Sequence, residues 1–396
     1  MQSVAQALLV LQLTKSAALL GFIVALQFLP VFALAPYGGL IADRFSKRRL
    51  LLMTQTIAAV LALALGTLVV TGLVRLWMIA LFALALGVIN ALDNPTRQAF
   101  LHEMVGPDTL RNAVTLNSIL INVTRIVGPA IAGVLAAWLA SQHLNLGPLF
   151  IINGLSFVAV LVCLALMRAS ELHRTERAPS VPGQLREGFR YVLSSKVLRD
   201  VLLIMAIVGT LTYEFPVTLP ALAQFTFHDP TTFAWLMTAM GAGAVAGGLI
   251  VARRREATLS GLAMASLGFG ASLLLVSIAP TIVLAALAMV IVGGFSTPFT
   301  SLTNAILQME SGPTMRGRVL SLWTVAFLGS TVFGAPIVGL VAHYANPRWA
   351  LVVGAAAALG AGAFGVLASR GVGSRAVVPA LEIEDPPVAE KEDYVP

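Results

Sequence analysis

The sequence predicts an all-α membrane protein built from two parallel six-helix repeats, with the first helix only partly present. Three observations predict it: apolar segments of membrane-spanning length, a one-sided distribution of basic residues, and a Gly-Pro pattern repeated half a chain apart. Of the 396 residues, 58% are hydrophobic and only 11% charged, and the mean hydropathy is +0.89. A soluble domain carries about 25% charged residues, so an ordinary water-soluble enzyme is excluded. The net charge of +7 would suit nucleic acid, but the cations sit in loops between apolar runs and form no basic face, so no nucleic-acid partner is expected. The single Cys163 lies in an apolar run, which leaves no disulfide framework and no thiolate metal site.

Taken in order, complete spans are expected at 17–41, 50–73, 76–96, 113–140, 148–168, 199–225, 231–252, 257–278, 281–307, 317–343 and 347–369. Each approaches or exceeds the roughly 20 apolar residues that cross a bilayer. Residues 1–13 are too short to cross and read as the second half of a first helix, giving twelve helices with the first incomplete. Of the 25 Lys and Arg, 21 fall in loops on one side, including Arg44, Lys47, Arg48 and Arg49. Only Lys15, Arg75 and Arg348 fall on the other side, and Arg125 lies inside the fifth helix. Basic loops stay in the cytoplasm, so the C-terminus is expected there too.

The repeat is registered by Gly106-Pro107, Gly128 and Gly133, which recur as Gly312-Pro313, Gly334 and Gly339. Helix 5 thus matches helix 11 in the same direction, and parallel repeats place a substrate site near the midplane between two halves. The expected organisation is a first bundle at 1–168, a linker at 169–198, a second bundle at 199–369 and a disordered acidic, Pro-rich tail at 370–396. Within the linker, Leu185, Phe189, Val192 and Leu193 share one helical face opposite Arg186, Glu187 and Arg190, which suits a helix lying on the inner membrane surface.

The loop Gly39-Leu-Ile-Ala-Asp43-Arg44-Phe-Ser-Lys47-Arg48-Arg49 resembles motif A of the major facilitator superfamily, with Ser46 where that motif has Gly. Leu92-Asp93-Asn94-Pro95-Thr96-Arg97 and Arg125-Ile-Val-Gly128-Pro129 narrow the resemblance to its enterobactin-exporter and macrolide-efflux branch. The resemblance implies a twelve-helix, proton-driven exporter of the bacterial inner membrane, working without a cofactor. It also implies that Asp43 latches the N-terminus of helix 11 in one state of the cycle, with Gly39, Arg44 and Arg48 shaping the same gate. Helix N-termini, with unpaired N–H groups, suit such a carboxylate. Gly128-Pro129-Ala-Ile-Ala-Gly133 partly resembles motif C of exporters, where small residues let helices approach closely.

Individual residues follow from chemistry. Glu214 is the one acidic residue well inside a span, and an intramembrane carboxyl is a functional candidate that can exchange protons as a cavity opens to either side. Pro216 and Pro220 should break or bend the helix beside it. Arg125, costly in mid-membrane by about 2.5–3.5 kcal/mol, needs a cavity or a partner and joins Glu214 as a candidate for proton coupling. Asp93 and Arg97, four apart, are placed for an ion pair at the gate. Lining of the substrate cavity is expected from Gln6, Asn90, Tyr213, Phe295, Thr297 and Asn304. The five His show no ligand spacing, and no nucleotide-binding or nucleophile motif is present. The expected function is proton-coupled efflux of a bulky organic solute by a monomer. The alternatives are an importer or uniporter of the same fold, or a non-transporting sensor or inactive remnant.

Overall fold

The computed structural model describes residues 1–44, 46–105, 109–168, 172, 184–253, 257–312 and 315–372; side chains at 35–44 and at part of the fifth helix lie outside that description. Among the described residues there is no strand. The chain runs as α1 (Gln2–Thr14), α2 (Ala17–Arg44), α3 (Lys47–Val70), α4 (Leu76–Met104), α5 (Leu110–Ser141) and α6 (Gly147–Leu166). The linker helix α7 (Gln184–Ser194) follows. The second half is α8 (Lys196–Leu211), α9 (Phe215–Phe225), α10 (Thr232–Ala252), α11 (Leu259–Ile278) and α12 (Ile282–Glu310). It closes with α13 (Arg316–Thr324), a π-helical turn at Val325–Gly329, α14 (Thr331–Tyr344) and α15 (Pro347–Val372).

Ten stretches among the described residues are long and apolar enough to cross a membrane, and two of them join pieces: α8 with α9, and α13 with α14. The spans expected at 199–225 and 317–343, helices 7 and 11 of the twelve, are therefore present but interrupted. Pro216 explains the first interruption. It has no N–H to bond the Thr212 carbonyl, and its ring collides with that carbonyl, so α8 stops at Leu211 and α9 restarts with Pro216 in its first turn. Pro220 is carried inside α9.

The repeat is visible in the packing. In the first half α2 packs on α4 and α3 on α6; in the second, α10 packs on α12 and α11 on α15. These are the same pairs, six helices later. The halves meet through α2 against α14, α5 against α10, and α1 and α2 against α9. Interiors of membrane bundles gain little from the hydrophobic effect, so close backbone approach carries the packing. A Cβ built on Gly293 would overlap the Met240 carbonyl oxygen, and one on Gly243 that of Val290, which ties α10 to α12. At the seam between halves, a Cβ on Gly21 would overlap the Ala335 oxygen and stand 3.3 Å from Gly339 Cα.

These seams cluster away from the basic loops. Gly21 and Gly339 lie near the ends of α2 and α14 that are remote from Lys47–Arg49, and Gly133 meets Ala234 in the first turn of α10. The basic half of helix 11, α13, packs on α7, α8 and α12, all of its own half or the linker. Trp77, Trp138, Trp235 and Trp349, each more than half exposed, sit within the terminal turns of α4, α5, α10 and α15 at that same remote end. Tryptophan on a bundle rim marks a membrane–water boundary.

Candidate substrate and coupling sites

At the break between α8 and α9, three consecutive residues leave the helical ladder and turn inward. The Thr212 hydroxyl donates to the Gly354 carbonyl at 2.8 Å, tying the break to α15. The Tyr213 hydroxyl donates to the Ser296 carbonyl of α12 at 2.8 Å. Its ring meets Phe269 at 5.1 Å and Phe327 at 5.0 Å between centroids, edge to face. Glu214 is 0% exposed, and neither carboxyl oxygen has a hydrogen-bond partner among the described residues. The Thr331 hydroxyl of α14 is near it, short of hydrogen-bond geometry. A Cβ on Gly334 would stand 2.7 Å from Glu214 Oε1, so that glycine makes the room the carboxyl occupies. Leaving a buried polar group unpaired costs about 1–3 kcal/mol. An intramembrane carboxyl of this kind is a candidate functional group.

Below that break lies a cavity of about 530 Å³ between α12 and α13, lined by Thr300, Ser301, Asn304, Gln308, Met309 and Trp323. The Gln308 amide donates to the Asn304 side chain. Trp323 stacks on Phe327 at 5.4 Å, so the aromatic contacts run without a gap from the cavity to Tyr213.

At the basic end, Asp93 is 4% exposed and accepts from Thr54 at 2.8 Å, Gln55 at 2.7 Å and Arg97 at 2.7 Å. The i,i+4 pair expected from the sequence is thus one part of a larger buried cluster reaching into α3. Lys47 and Glu103 pair at 2.6 Å with side chains about a tenth exposed. Arg48 donates to the Leu164 and Ala165 carbonyls at 2.7 and 2.8 Å, which caps the C-terminal end of α6. Gly39, Asp43 and Arg44 fall on the last turns of α2, where side chains lie outside the described residues.

The other expected site residues are dispersed. Gln6 is buried and donates weakly to Gln27 at 3.4 Å. Asn90 is half-buried on α4. Asn304 is the member of the expected lining set that borders the cavity. Thr297 faces Gly248 of α10, and Phe295 is 38% exposed against Gly268 of α11. Arg125 is on α5 with its side chain outside the described residues. Pro129 is carried inside α5; a Cβ on Gly128 would meet nothing within 4 Å, whereas one on Gly133 would overlap Ala234. Trp323, Gln308, Thr54, Gln55 and Glu103 were not singled out from the sequence. A Thr-Gln pair in an apolar span and a Trp far from the aromatic rim are the signals that point to three of them. Among the described residues no His, Cys, Asp or Glu cluster could hold a metal.

The chain is 32% identical over 159 residues to the staphyloferrin A transporter of Staphylococcus aureus, an alignment covering 40% of this chain and 39% of that protein. The chain thus spans about two fifths of that relative's length. It is 25% identical over 345 residues to the multidrug efflux pump Tap of Mycolicibacterium fortuitum, covering 84% and 81% of the two chains. To the enterobactin exporter EntS of Shigella boydii it is 24% identical over 335 residues, covering 83% and 77%. In fold it resembles a bacterial homologue of the human lysosomal transporter Spinster, inward-facing and occupied, with a TM-score of 0.69 at 16% identity, covering 93% and 92%. The inward-open xylose transporter XylE from E. coli gives 0.67 at 14% identity, covering 91% of each. The family model for transmembrane secretion effectors matches residues 1–394. With two parallel six-helix repeats and near-complete coverage by that model, this chain belongs to the transmembrane secretion effector family of the major facilitator superfamily, a family of transporters.

Proposed function

We propose that this transporter exports a bulky organic solute in exchange for protons, by alternating access, as a monomer in a bacterial inner membrane with its basic loops and C-terminus in the cytoplasm. The observation that carries the reading is Glu214: a fully buried carboxyl with no hydrogen-bond partner among the described residues, set in a broken helix and against helix 11. A carboxylate cannot stay charged in such a site at low cost, so Glu214 carries a proton while occluded and gives it up on exposure to water. Broken helices that present polar groups at mid-membrane are where transporters place substrate and coupling ions.

The conformation fits one half of that cycle. The seams between halves lie at the end remote from the basic loops, and the cavity between α12 and α13 lies toward the basic end. With the basic loops cytoplasmic, this is the inward-facing arrangement, ready to take solute from the cell. Efflux relatives such as Tap and EntS support the outward direction.

Everted, energised membrane vesicles provide the test. Addition of a macrolide or siderophore panel should release protons above the level of empty vesicles, and Glu214→Gln should abolish the release while the protein still inserts. Transport that survives Glu214→Gln at full rate removes Glu214 from coupling. Uptake driven in the opposite sense would favour the importer.

A further inference from the structure

We infer that the cavity between α12 and α13 is a ligand subsite for flat aromatic solutes that bear oxygen acceptors and no positive charge. The inference rests on the transporter reading and adds a substrate class to it. Thr300 to Met309 lie roughly 6–20 Å beyond Ser296 along α12, at 1.5 Å per residue, so the subsite sits between the midplane break and the basic end. It is a cleft of about 530 Å³, within the volume range of ligand sites and open on one side.

The wall decides the chemistry. It offers two hydroxyls, Thr300 and Ser301, two carboxamides, Asn304 and Gln308, and the indole of Trp323, with no carboxylate among these residues. A cation also reaches its edge: Arg316 donates from Nε to the Gln308 carbonyl at 3.0 Å. A cationic solute finds no counter-charge among these lining residues, whereas a neutral one finds donors and a ring to lie on. Trp323 Nε1 is buried without a hydrogen-bond partner among the described residues. A small turn of the ring would satisfy it with a ligand oxygen. The stack from Trp323 through Phe327 to Tyr213 then connects an occupied subsite to the residue preceding Glu214.

Tryptophan emission of the purified full chain in detergent tests this, with 7-methoxycoumarin as the neutral probe and ethidium as the cationic one. The other four tryptophans lie exposed on the remote rim, so saturable quenching reports Trp323. The expected result is saturable quenching by 7-methoxycoumarin and none by ethidium. Trp323→Phe should remove it, and Asn304→Leu, which keeps the reporter, should weaken apparent binding by about five- to tenfold, as for a lost hydrogen bond. No saturable quenching of the unmodified chain, quenching that survives Trp323→Phe, saturable quenching by ethidium, or an unaltered affinity in Asn304→Leu would each overturn the subsite. Binding in detergent needs no proton gradient. Failure of proton release in vesicles therefore leaves the subsite standing, and failure of quenching leaves the coupling role of Glu214 standing.

Discussion

On the proposed alternating-access cycle, Gly21→Ala should push this transporter out of the inward-facing state. The glycine lies where α2 crosses α14, and a methyl group there would overlap the Ala335 carbonyl oxygen and stand 3.0 Å from its carbon. Neither neighbour is the flexible end of a side chain; both are helix backbone. The two helices must therefore part by on the order of 1 Å, and overpacking of this kind costs about 1–3 kcal/mol. The cost falls on the state that closes this seam and not on the state that opens it. At about 1.4 kcal/mol per tenfold, the ratio of outward- to inward-facing molecules should rise by roughly five- to 140-fold. Val338, 0% exposed on α14 and packed with Ala17 and Ala221, is sealed by the same seam. In a Cys163→Ser background, Val338→Cys should react with an externally added, membrane-impermeant maleimide at a rate set by that ratio. Adding Gly21→Ala should raise the rate within the stated range. A rate unchanged within twofold would show that the α2–α14 crossing does not close the outer side, and the assignment of this conformation would fall with it.

Other expectations concern the basic end and the loop between α9 and α10. Asp93→Leu strips the acceptor from the buried Gln55 amide at about 1–3 kcal/mol, while the Thr54 hydroxyl falls back on the Leu51 carbonyl at 3.1 Å, so thermal unfolding in detergent should move to lower temperature; the mostly exposed Arg97 should matter little, and Arg97→Ala should unfold near the unmodified chain. Glu103→Gln alone should cost about 3–5 kcal/mol by stranding Lys47, while Lys47→Met with Glu103→Leu should restore most of the loss in denaturant titrations, because a buried pair can be replaced by apolar contacts. Outside the spans, partial burial raises the Asp229 pKa, but the Thr231 hydroxyl and amide and the Thr232 hydroxyl outweigh it and hold the carboxyl below its ordinary value. Its contribution is therefore present above the ordinary carboxylate range and lost as pH falls through the lowered value. Asp229→Asn should flatten the acid limb of the stability profile, and an unaltered limb would refute a stabilising role for these three hydrogen bonds.

Hydropathy and charge placement make the helices and the internal repeat legible, because spans are long and apolar and their loops are marked by Lys and Arg. The break before Glu214 is also legible, since Pro216 cannot continue a helix. The π-helical turn at Val325–Gly329 is not: its residues have no proline and no polar interruption, and the turn arises where α13 and α14 meet α2 and α8. The candidate sites divide in the same way. Glu214 and Asp93 stand out as carboxyls in apolar sequence, and Arg97 follows at helical spacing. Partners from distant segments do not: Thr54 and Gln55 come from another helix, and Lys47 finds Glu103 across 56 positions of chain. Phe295 and Thr297 share α12 with Asn304, yet only rotation about the helix axis, set by packing on α10 and α11, decides which of them borders the cavity.

Four tryptophans ring one rim of the bundle, and the opposite rim has no such collar among the described residues. Indoles prefer headgroup depth, so they behave as a waterline, fixing how deep the outer edge floats. Moored there, that edge should part and close within the plane of the headgroups, the indoles neither sinking nor rising as the bundle changes shape. Spin labels in the first turns of α4 and α15 would record it: their mutual distance should change with state while their accessibility to a lipid-soluble quencher stays the same.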